Sequence, residues 1–406
     1  MRRRRPYDRA EVGSAMEYRP ITDVDELVKV AKQAYTLRAV EREAVGPWVR
    51  DVIERGAEPY GVYDGGRLLS AYVLYDYRIR FRSSVVAMGG IGLVCSALAA
   101  RGRGAVRLLL ERSLETMRDR GHQVSVLSPF DRSFYRKYGW EQFCRYQRLE
   151  LPPGQLLVPA AETAYEVEEL ESPDAASRDF YNRMALSQYN LAQRGDAEWV
   201  GRTELRPWHE DTAARGVVKI SRGGKVVGLI GHAVWREPKG DETITVDPFL
   251  FADEGAKREL LRFLGRLSHQ IKTVRFDIPE DLELWPYITD CASSRKVVDS
   301  FMVRAVSLIS LDGLCLESPD VEVIVDVTDD QAPWNHGVWS LRVRGGTLQV
   351  ESGGRPELRS GIGALSSVLS GFTTVGTMVA AGRMEALPAY RGQDLPRVTT
   401  FLADYF

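Results

Sequence analysis

The stretch VVAMGGIGLVCSALAARGRG, residues 85–104, decides the fold, and AVRLLLERSLETMRDR, residues 105–120, follows it without a break. Residues 85–100 carry no charged side chain, as is typical of a strand covered on both faces. From Gly104 to Arg120 apolar residues recur every three or four positions, and Gly121 ends the pattern. The sequence therefore predicts a buried strand that leads through a short loop into a long amphipathic helix.

The loop Arg101-Gly102-Arg103-Gly104 has the composition of an anion site. A helix N-terminus presents free backbone N–H groups and about half a positive charge. Glycines let the backbone approach a ligand closely, and two arginines supply the charge that a diphosphate needs. Taken alone, the same loop also fits an ordinary surface turn that carries Arg and Gly for solubility.

Similar patterns of strands and helices recur along the chain and predict an α+β protein of three units. The first unit has a glycine-rich hairpin at Asp64-Gly65-Gly66 and a short buried strand, Val124–Leu127, after the long helix. The second unit partly repeats this order, but no Arg/Gly-rich run separates its central strand from its long helix. The third returns to strands and a small apolar helix. We expect the units to span residues 1–155, 156–300 and 301–406, with residues 1–15 as a disordered basic tail and Met16 as an alternative start.

Composition excludes several classes of protein. The formal net charge of -2 provides no overall basic field, which argues against nucleic acid as a partner. The uncharged run is shorter than the roughly 20 residues that a membrane span needs. The histidines are scattered, so no metal site is expected. The four cysteines show no paired spacing, which predicts neither a zinc site nor a disulfide framework and favours a cytoplasmic location; they are Cys95, Cys144, Cys291 and Cys315.

Two motifs resemble those of GNAT acetyltransferases. Residues 101–106 have the spacing Arg-x-x-Gly-x-x, similar to the (Gln/Arg)-x-x-Gly-x-(Gly/Ala) pyrophosphate signature of that superfamily, with Val106 where the family prefers Gly or Ala. The segment FYRKYGWE, residues 134–141, resembles the Tyr-x-x-x-Gly-(Phe/Trp) end of a short GNAT helix. That helix follows the strand that splays from its neighbour and admits pantetheine.

Residues 88–140 and the order of the three units resemble the Eis (enhanced intracellular survival) family. That family joins a catalytic GNAT domain, a second GNAT-like domain without cofactor, and a domain similar to sterol carrier proteins. The resemblance implies two α/β units, each with a mixed central sheet flanked by helices, and a sterol-carrier-protein-like α+β unit. The third unit carries it through Ala332-Pro333-Trp334-Asn335, Gly337-Val338-Trp339, Ile362-Gly363-Ala364-Leu365 and Tyr405-Phe406.

The same resemblance implies a set of site residues. Acetyl-CoA would place its pantetheine on the backbone of Val94, Cys95 and Ser96. Its diphosphate would lie on Gly102, Arg103, Gly104, Ala105, Val106 and Arg107, with Arg101 beside them. Tyr135 would act as general acid and the terminal carboxylate of Phe406 as general base. The acidic pocket residue that the family suggests near the end of the first helix has no match among Thr36, Leu37 and Arg38.

The function expected from this resemblance is acetyl-CoA-dependent N-acetylation of a small-molecule amine, with aminoglycosides as the first candidates. The resemblance also implies a homo-oligomer, namely a hexamer. No nucleic-acid or membrane partner is expected. Acetylation of protein lysines uses the same site and remains the alternative. A third hypothesis makes the last unit a carrier of lipids or other apolar ligands. Tyr135 and Tyr138 also fit a packing role, as does Phe406.

Overall fold

The computed structural model describes residues 16–35, 39–158, 165–199, 212–236, 240–290, 292 and 294–403. The predicted basic tail, residues 36–38 and Phe406 lie outside the described residues. Within the described ranges, no helix is long and apolar enough to cross a membrane.

Three runs of secondary structure follow one another along the chain. The first contains β1 (Glu17–Pro20), α1 (Val24–Ala34), α2 (Ala39–Glu54), β2 (Glu58–Asp64), β3 (Arg67–Phe81), β4 (Ser84–Ser96), α3 (Ala105–Asp119), β5 (Val124–Leu127), α4 (Arg132–Arg136) and β6 (Glu141–Gln142). The second contains β7 (Arg145–Leu151), β8 (Glu166–Leu170), α5 (Ala175–Ser187), β9 (Ala192–Gln193), α6 (Asp196–Trp199), β10 (Thr212–Arg222), β11 (Lys225–Arg236), β12 (Glu242–Phe251), α7 (Glu254–Gly265), β13 (Thr273–Pro279) and β14 (Ser294–Asp299). The third contains β15 (Met302–Ala305), β16 (Val321–Thr328), β17 (Gly337–Arg344), β18 (Thr347–Ser352), β19 (Leu358–Gly361), α8 (Ile362–Leu369), α9 (Val375–Ala380) and β20 (Met384–Ala386).

These strands form three mixed sheets. The first has the order β1-β2-β3-β4-β5-β15-β6, with β9 added beside β3; the second has the order β14-β7-β13-β12-β11-β10-β8; the third has the order β18-β17-β16-β19-β20. Each sheet contains a parallel pair among antiparallel ones: β4 with β5, β12 with β13, and β16 with β19. The predicted α+β fold class is confirmed. Two similar units of sheet and helices are followed by a third unit of different topology.

Three strands pair across the unit boundaries that the sequence suggested. Strand β9, inside the expected second unit, pairs with β3 of the first sheet. Strand β7, expected at the end of the first unit, pairs with β13 and β14 of the second sheet. Strand β15, expected to open the third unit, lies between β5 and β6 of the first sheet. All four residues of β15 are buried, and this position covers them on both sides. The strand order of the sheets therefore does not follow the unit bounds expected at residues 155 and 301.

Local signals explain the two helices that flank the first sheet. Helix α1 begins after Asp23, whose Oδ1 accepts hydrogen bonds from the N–H groups of Asp25 at 2.9 Å and Glu26 at 3.2 Å. The long helix expected after the glycine-rich loop is confirmed as α3, whose apolar stripe, Leu109, Leu110, Leu114 and Met117, is fully buried. The first and third units share one continuous apolar core, whereas most of the second unit's sheet packs in a core of its own.

Candidate active site

The site begins where β4 and β5 part. The two strands pair in parallel from Met88 opposite Val124 to Ile91 opposite Leu127. Strand β5 ends there, but β4 continues to Ser96 and remains paired with β3 on its other side. Among the described residues, the edge of β4 that faced β5 therefore has no strand partner over residues 92–96. An open backbone edge of this kind can pair with an extended ligand.

A bulge bends β4 at the same place. Gly92 lies opposite Val73 and Cys95 opposite Ala71, so Leu93 and Val94 together face Tyr72 alone. Leu93 has a φ of 49°, which a leucine adopts only at a cost in backbone energy. Bulges turn a strand away from its neighbour and are frequent beside active sites. The strained position coincides with the residues for which a pantetheine contact was predicted.

The N-terminus of α3 lies a short loop beyond β4 and has free hydrogen-bond donors. The residue before the helix is Gly104, with a φ of 83°, and no side chain caps the helix. The first bond within the helix runs from the N–H of Leu108 to the carbonyl oxygen of Gly104 at 3.1 Å. The N–H groups of Ala105, Val106 and Arg107 therefore have no partner among the described residues and can bind an anion.

Positive φ angles explain the glycines of this loop. Gly102 has a φ of 77° and Gly104 of 83°, and a Cβ at either position would meet open space. The backbone conformation therefore selects glycine here. The neighbouring arginines differ in their surroundings. Arg103 pairs with Asp64 at 2.5 Å and Arg107 with Glu111 at 2.7 Å, whereas Arg101 is exposed and has no partner among the described residues.

The corresponding helix of the second unit is capped by its own carboxylate. Oδ1 of Asp253 accepts a hydrogen bond from the N–H of Ala256 at 2.9 Å at the start of α7, and Oδ2 pairs with Arg222 at 2.7 Å. The bond from Ala256 is the main cause that lowers the pKa of the Asp253 carboxyl. Glu254 adds a second negative charge in the first turn. An anionic ligand would therefore be repelled where the first unit has open N–H groups.

Tyr135 lies on α4, beside β4. The helix starts after Asp131, whose Oδ1 accepts from the N–H of Ser133 at 2.7 Å and of Phe134 at 3.2 Å. The ring of Tyr135 packs edge-on against Phe130 and Phe134, with centroids 5.4 and 5.2 Å away. Its hydroxyl makes no hydrogen bond to any described residue, although the side chain is almost fully buried. Burial raises the pKa of Tyr135 far above that of an ordinary phenol, so the group stays protonated.

Cys95 and Tyr35 complete the surroundings of Tyr135. Burial is the main cause that raises the pKa of the Tyr35 phenol, and electrostatic interactions with Cys95, Tyr135 and Tyr75 raise it further. Burial also raises the pKa of the Cys95 thiol to about 12. The thiol is therefore neutral near pH 7 and is a poor nucleophile. Tyr35 was not predicted as a site residue; its position directly after α1 was the available signal.

The neighbouring positions predicted to bind pantetheine lie on the same stretch of β4. Val94 is partly buried, and the Ser96 hydroxyl forms a 2.8 Å hydrogen bond with the hydroxyl of Ser70 on β3. The Ser96 side chain is thus engaged with β3, and only the Ser96 backbone is available to a ligand at the open edge of β4. The prediction that Val94, Cys95 and Ser96 contact a ligand through their backbone stays a prediction.

The last described residues of the chain are inserted between the first and second units. The Thr400 hydroxyl donates to the carbonyl oxygen of Phe143 at 2.5 Å. Phe401 and Asn190 exchange two hydrogen bonds, from the Phe401 N–H to Oδ1 at 3.1 Å and from the Asn190 N–H to the Phe401 carbonyl at 3.0 Å. Leu402 is buried. This segment is firmly held, while the role predicted for Phe406 stays a prediction because Phe406 lies outside the described residues.

A buried ion pair connects α4 to the third unit. Arg304 of β15 is fully buried, and its Nη2 lies 2.7 Å from both carboxylate oxygens of Asp329. Its Nη1 donates to the carbonyl oxygen of Tyr138, just after α4, at 2.6 Å. Gly139 has no room for a side chain, since a Cβ there would lie 1.6 Å from Nη1 of Arg304. The end of the helix that carries Tyr135 is therefore fixed by a residue pair outside the first unit.

Comparison with known proteins identifies the three units. The family model described as an acetyltransferase (GNAT) domain matches residues 17–143, a second GNAT domain model matches residues 191–305, and a sterol carrier protein domain matches residues 303–403. An uncharacterized N-acetyltransferase of Streptomyces coelicolor is 24% identical over 329 residues, which cover 78% of this chain and 79% of the relative. The chain is a GNAT-type N-acetyltransferase with two GNAT domains and a sterol carrier protein domain.

Solved structures share this whole architecture. A GCN5-related N-acetyltransferase from Anabaena variabilis superposes with a TM-score of 0.83 at 20% identity, over 97% of this chain and 100% of that one. Eis1 from Mycobacterium abscessus superposes with a TM-score of 0.77 at 18% identity, over 96% of this chain and 100% of that one. The predicted resemblance to the Eis family is thereby confirmed in fold.

Within the described ranges, no group of three or more His, Cys, Asp or Glu side chains could hold a metal ion.

Proposed function

We propose that the first GNAT domain transfers the acetyl group of acetyl-CoA directly to an amine of a small-molecule acceptor. The open edge of β4 carries this proposal, together with the buried and protonated hydroxyl of Tyr135. Val94 to Ser96 would hold the pantetheine through the backbone, and Gly102 to Arg107, with Arg101, the diphosphate. Acetyl-CoA supplies the acetyl group as a thioester.

The residues of this site account for three requirements of acetyl transfer. Two ligands held against one strand edge react without the entropic cost of a collision. A backbone N–H on the open side of β4 is a suitable donor to the oxyanion that develops on the carbonyl. The Tyr135 hydroxyl, kept protonated by burial, donates its proton to the departing thiolate. Because the Cys95 thiol is neutral, a covalent acetyl-enzyme is not part of the proposal.

The proposed general base is the terminal carboxylate of Phe406. The buried segment that precedes it, Thr400 to Leu402, supports the proposal because it holds this end of the chain between the first two units. An ordinary terminal carboxyl has a pKa of about 3.5, far below that of an amine, so the carboxylate would act through a relay or with a raised pKa. We would compare kcat of the chain ending at Phe406 with that of a chain extended by three glycines. Equal rates would remove the carboxylate from the mechanism.

The acceptor class is the finer part of the proposal. Small amines, including aminoglycosides, are favoured over protein lysines on the resemblance stated above. A carrier role for the third domain receives no support, since the cavity enclosed by its apolar core, lined by Val325, Leu341 and Leu365 among others, measures about 10 Å³. That space holds no more than about one water molecule. By the same resemblance we propose a hexamer, and a cytoplasmic location where acetyl-CoA is available.

A thiol-release assay tests the proposal. Acetyl-CoA would be mixed with polyamines, aminoglycosides and lysine peptides in parallel, and free CoA followed over time. Release that depends on a small amine supports the proposal. Release only with lysine peptides would support the alternative, and no release with any amine would contradict an N-acetyltransferase of either kind.

A further inference from the structure

A cleft of about 890 Å³ lies where the three parts of the chain meet, and it is distinct from the open edge of β4. Its walls come from the segment that includes the start of α4, from the ends of β7 and β14, and from the third domain around α9. Four arginines line it: Arg132, Arg136, Arg145 and Arg383. The volume is ample for a small organic ligand.

The arginines share their carboxylate partners in pairs. Arg136 and Arg383 both contact the buried carboxylate of Glu141. Arg132 and Arg145 both lie 3.4 Å from the carboxylate of Asp299. Each carboxylate thus neutralises only one of the two guanidinium groups around it.

Two further acids contribute to the charge of the cleft. Asp131 lines it but accepts the N–H groups at the start of α4, and Glu280, 3.9 Å from Arg145, is also bound by Arg397. The wall itself therefore holds four guanidinium groups and three carboxylates, Asp131, Glu141 and Asp299, which leaves a surplus of one positive charge. Glu280 lies outside the wall, where Arg397 balances it.

Two buried polar atoms of the cleft have no hydrogen-bond partner among the described residues. One is Oε1 of Gln142, whose Nε2 donates to the carbonyl oxygen of Cys144 at 2.7 Å. The other is the hydroxyl oxygen of Ser300. The two residues are only 7% and 8% exposed, respectively. A buried unsatisfied polar atom costs about 1–3 kcal/mol, so atoms of this kind indicate a missing partner.

We propose that this cleft binds a small hydroxylated organic anion. Its carboxylate or phosphate groups would pair with the surplus guanidinium charge, and its hydroxyl would donate to Oε1 of Gln142. A polycationic amine is disfavoured here by the same charge, so the site differs from the one proposed for the acceptor. Arg132 and Arg136 belong to α4, the helix that carries Tyr135, and the ligand would therefore contact the catalytic helix.

Calorimetry on the full chain at low ionic strength, with citrate as the probe, tests the proposal. We expect one citrate per chain with a Kd no weaker than about 1 mM. Tricarballylate has the same three carboxylates without the hydroxyl and should bind about tenfold more weakly, because Oε1 of Gln142 then stays unpaired. Equal affinity for the two acids, or no binding of citrate, would overturn the proposal.

Matched variants locate the binding. Arg383→Gln should weaken citrate at least tenfold, whereas Arg359→Gln, at an exposed arginine of the same domain that pairs with Asp326 and Glu385, should not change it. Gly104→Asp, which adds a negative charge at the start of α3, should leave citrate affinity unchanged and so exclude binding at the donor site. Equal weakening in Arg383→Gln and Arg359→Gln, or loss of binding in Gly104→Asp, would contradict the assignment. Thermal unfolding of each variant confirms that it is folded.

Discussion

Burial sets the protonation states of Tyr135 and Cys95. The Tyr135 phenol and the Cys95 thiol are both held in their neutral forms, because the surrounding apolar side chains disfavour a charge. A neutral phenol can donate a proton, and a neutral thiol cannot attack a thioester. The same physical cause thus favours one residue as an acid and excludes the other as a nucleophile.

Tyr135→Phe should lower kcat by roughly 100- to 10,000-fold, because the proton donor is lost. The Kd of acetyl-CoA should change less than about threefold, because the ring still packs in the same place. Because burial raises the pKa of Tyr135 above that of an ordinary phenol, about 10, its proton is retained near neutral pH and the defect should be independent of pH between 6 and 9. Stopped-flow rates and calorimetry would measure both quantities. Tyr138→Phe serves as the control and should keep most of the activity; a larger loss there would move the acid role to Tyr138.

Cys95 should resist alkylation, and Cys95→Ala should remain active. With a pKa of about 12, only about one thiol in 10,000 is ionised at pH 8. Mass spectrometry after iodoacetamide treatment should show Cys315, which is exposed, modified long before Cys95. An acetylated Cys95 trapped with acetyl-CoA in the absence of acceptor would contradict direct transfer.

At the scale of single elements, the two GNAT domains differ in how their long helices begin. Helix α3 starts after a glycine with a left-handed backbone and leaves its first N–H groups open, whereas α7 starts after Asp253, whose carboxylate occupies that place. The two domains share a fold, but the N-terminus of α3 presents the positive end of the helix dipole, whereas that of α7 carries the negative charges of Asp253 and Glu254. One acetyl-CoA per chain is therefore the expected stoichiometry.

Gly104→Asp and Gly104→Asn form a matched pair for this feature. Both residues tolerate a positive φ better than most, and they differ in charge alone. Calorimetry with acetyl-CoA should show an affinity for Gly104→Asp at least tenfold lower than for Gly104→Asn, because the carboxylate repels the diphosphate. Equal affinities would place the diphosphate elsewhere, and two sites per chain in the unaltered protein would assign one to the second domain.

The elements that could be predicted from the sequence are those defined by local signals. The uncharged strand, the Arg/Gly loop and α3 are contiguous, so periodicity and helix ends were sufficient. Helix α2 was missed although Val45, Val49 and Val52 form a buried stripe, because Pro47 interrupts the pattern. The bulge at Leu93 and the insertion of β15 depend on partners distant in sequence, and no local pattern reveals them.

At the scale of the whole molecule, the third domain supports the first through buried arginines. Arg82, in the turn between β3 and β4, donates to the carbonyl oxygens of Leu369 at 2.7 Å, Val368 at 3.0 Å and Pro396 at 2.9 Å. The bonds to Leu369 and Val368 satisfy carbonyl oxygens at the C-terminal end of α8, and the bond to Pro396 holds the last described segment of the chain. Together with the shared apolar core, they make the sterol carrier protein domain part of the scaffold of the active site.

Asp329→Asn tests this coupling at Arg304. The variant keeps the shape of the side chain but leaves the Arg304 guanidinium buried without a counter-charge, which should lower the free energy of unfolding by about 3–5 kcal/mol. Asp326→Asn removes a more exposed carboxylate on β16, three residues before Asp329, and should cost less than about 1 kcal/mol. Urea unfolding measures both.

The double variant Arg304→Met with Asp329→Leu separates stability from positioning. Replacing both charges by apolar side chains of similar volume removes the desolvation cost and should restore part of the stability. It also removes the hydrogen bond to the carbonyl oxygen of Tyr138 and the acceptor of the Ala332 N–H and of Nδ2 of Asn335. If that bond orients α4, the double variant should fold normally and bind acetyl-CoA with unchanged Kd, while kcat falls about tenfold because Tyr135 is less well placed. A stable double variant with full kcat would show that α4 holds its own position and that the buried pair serves the fold alone.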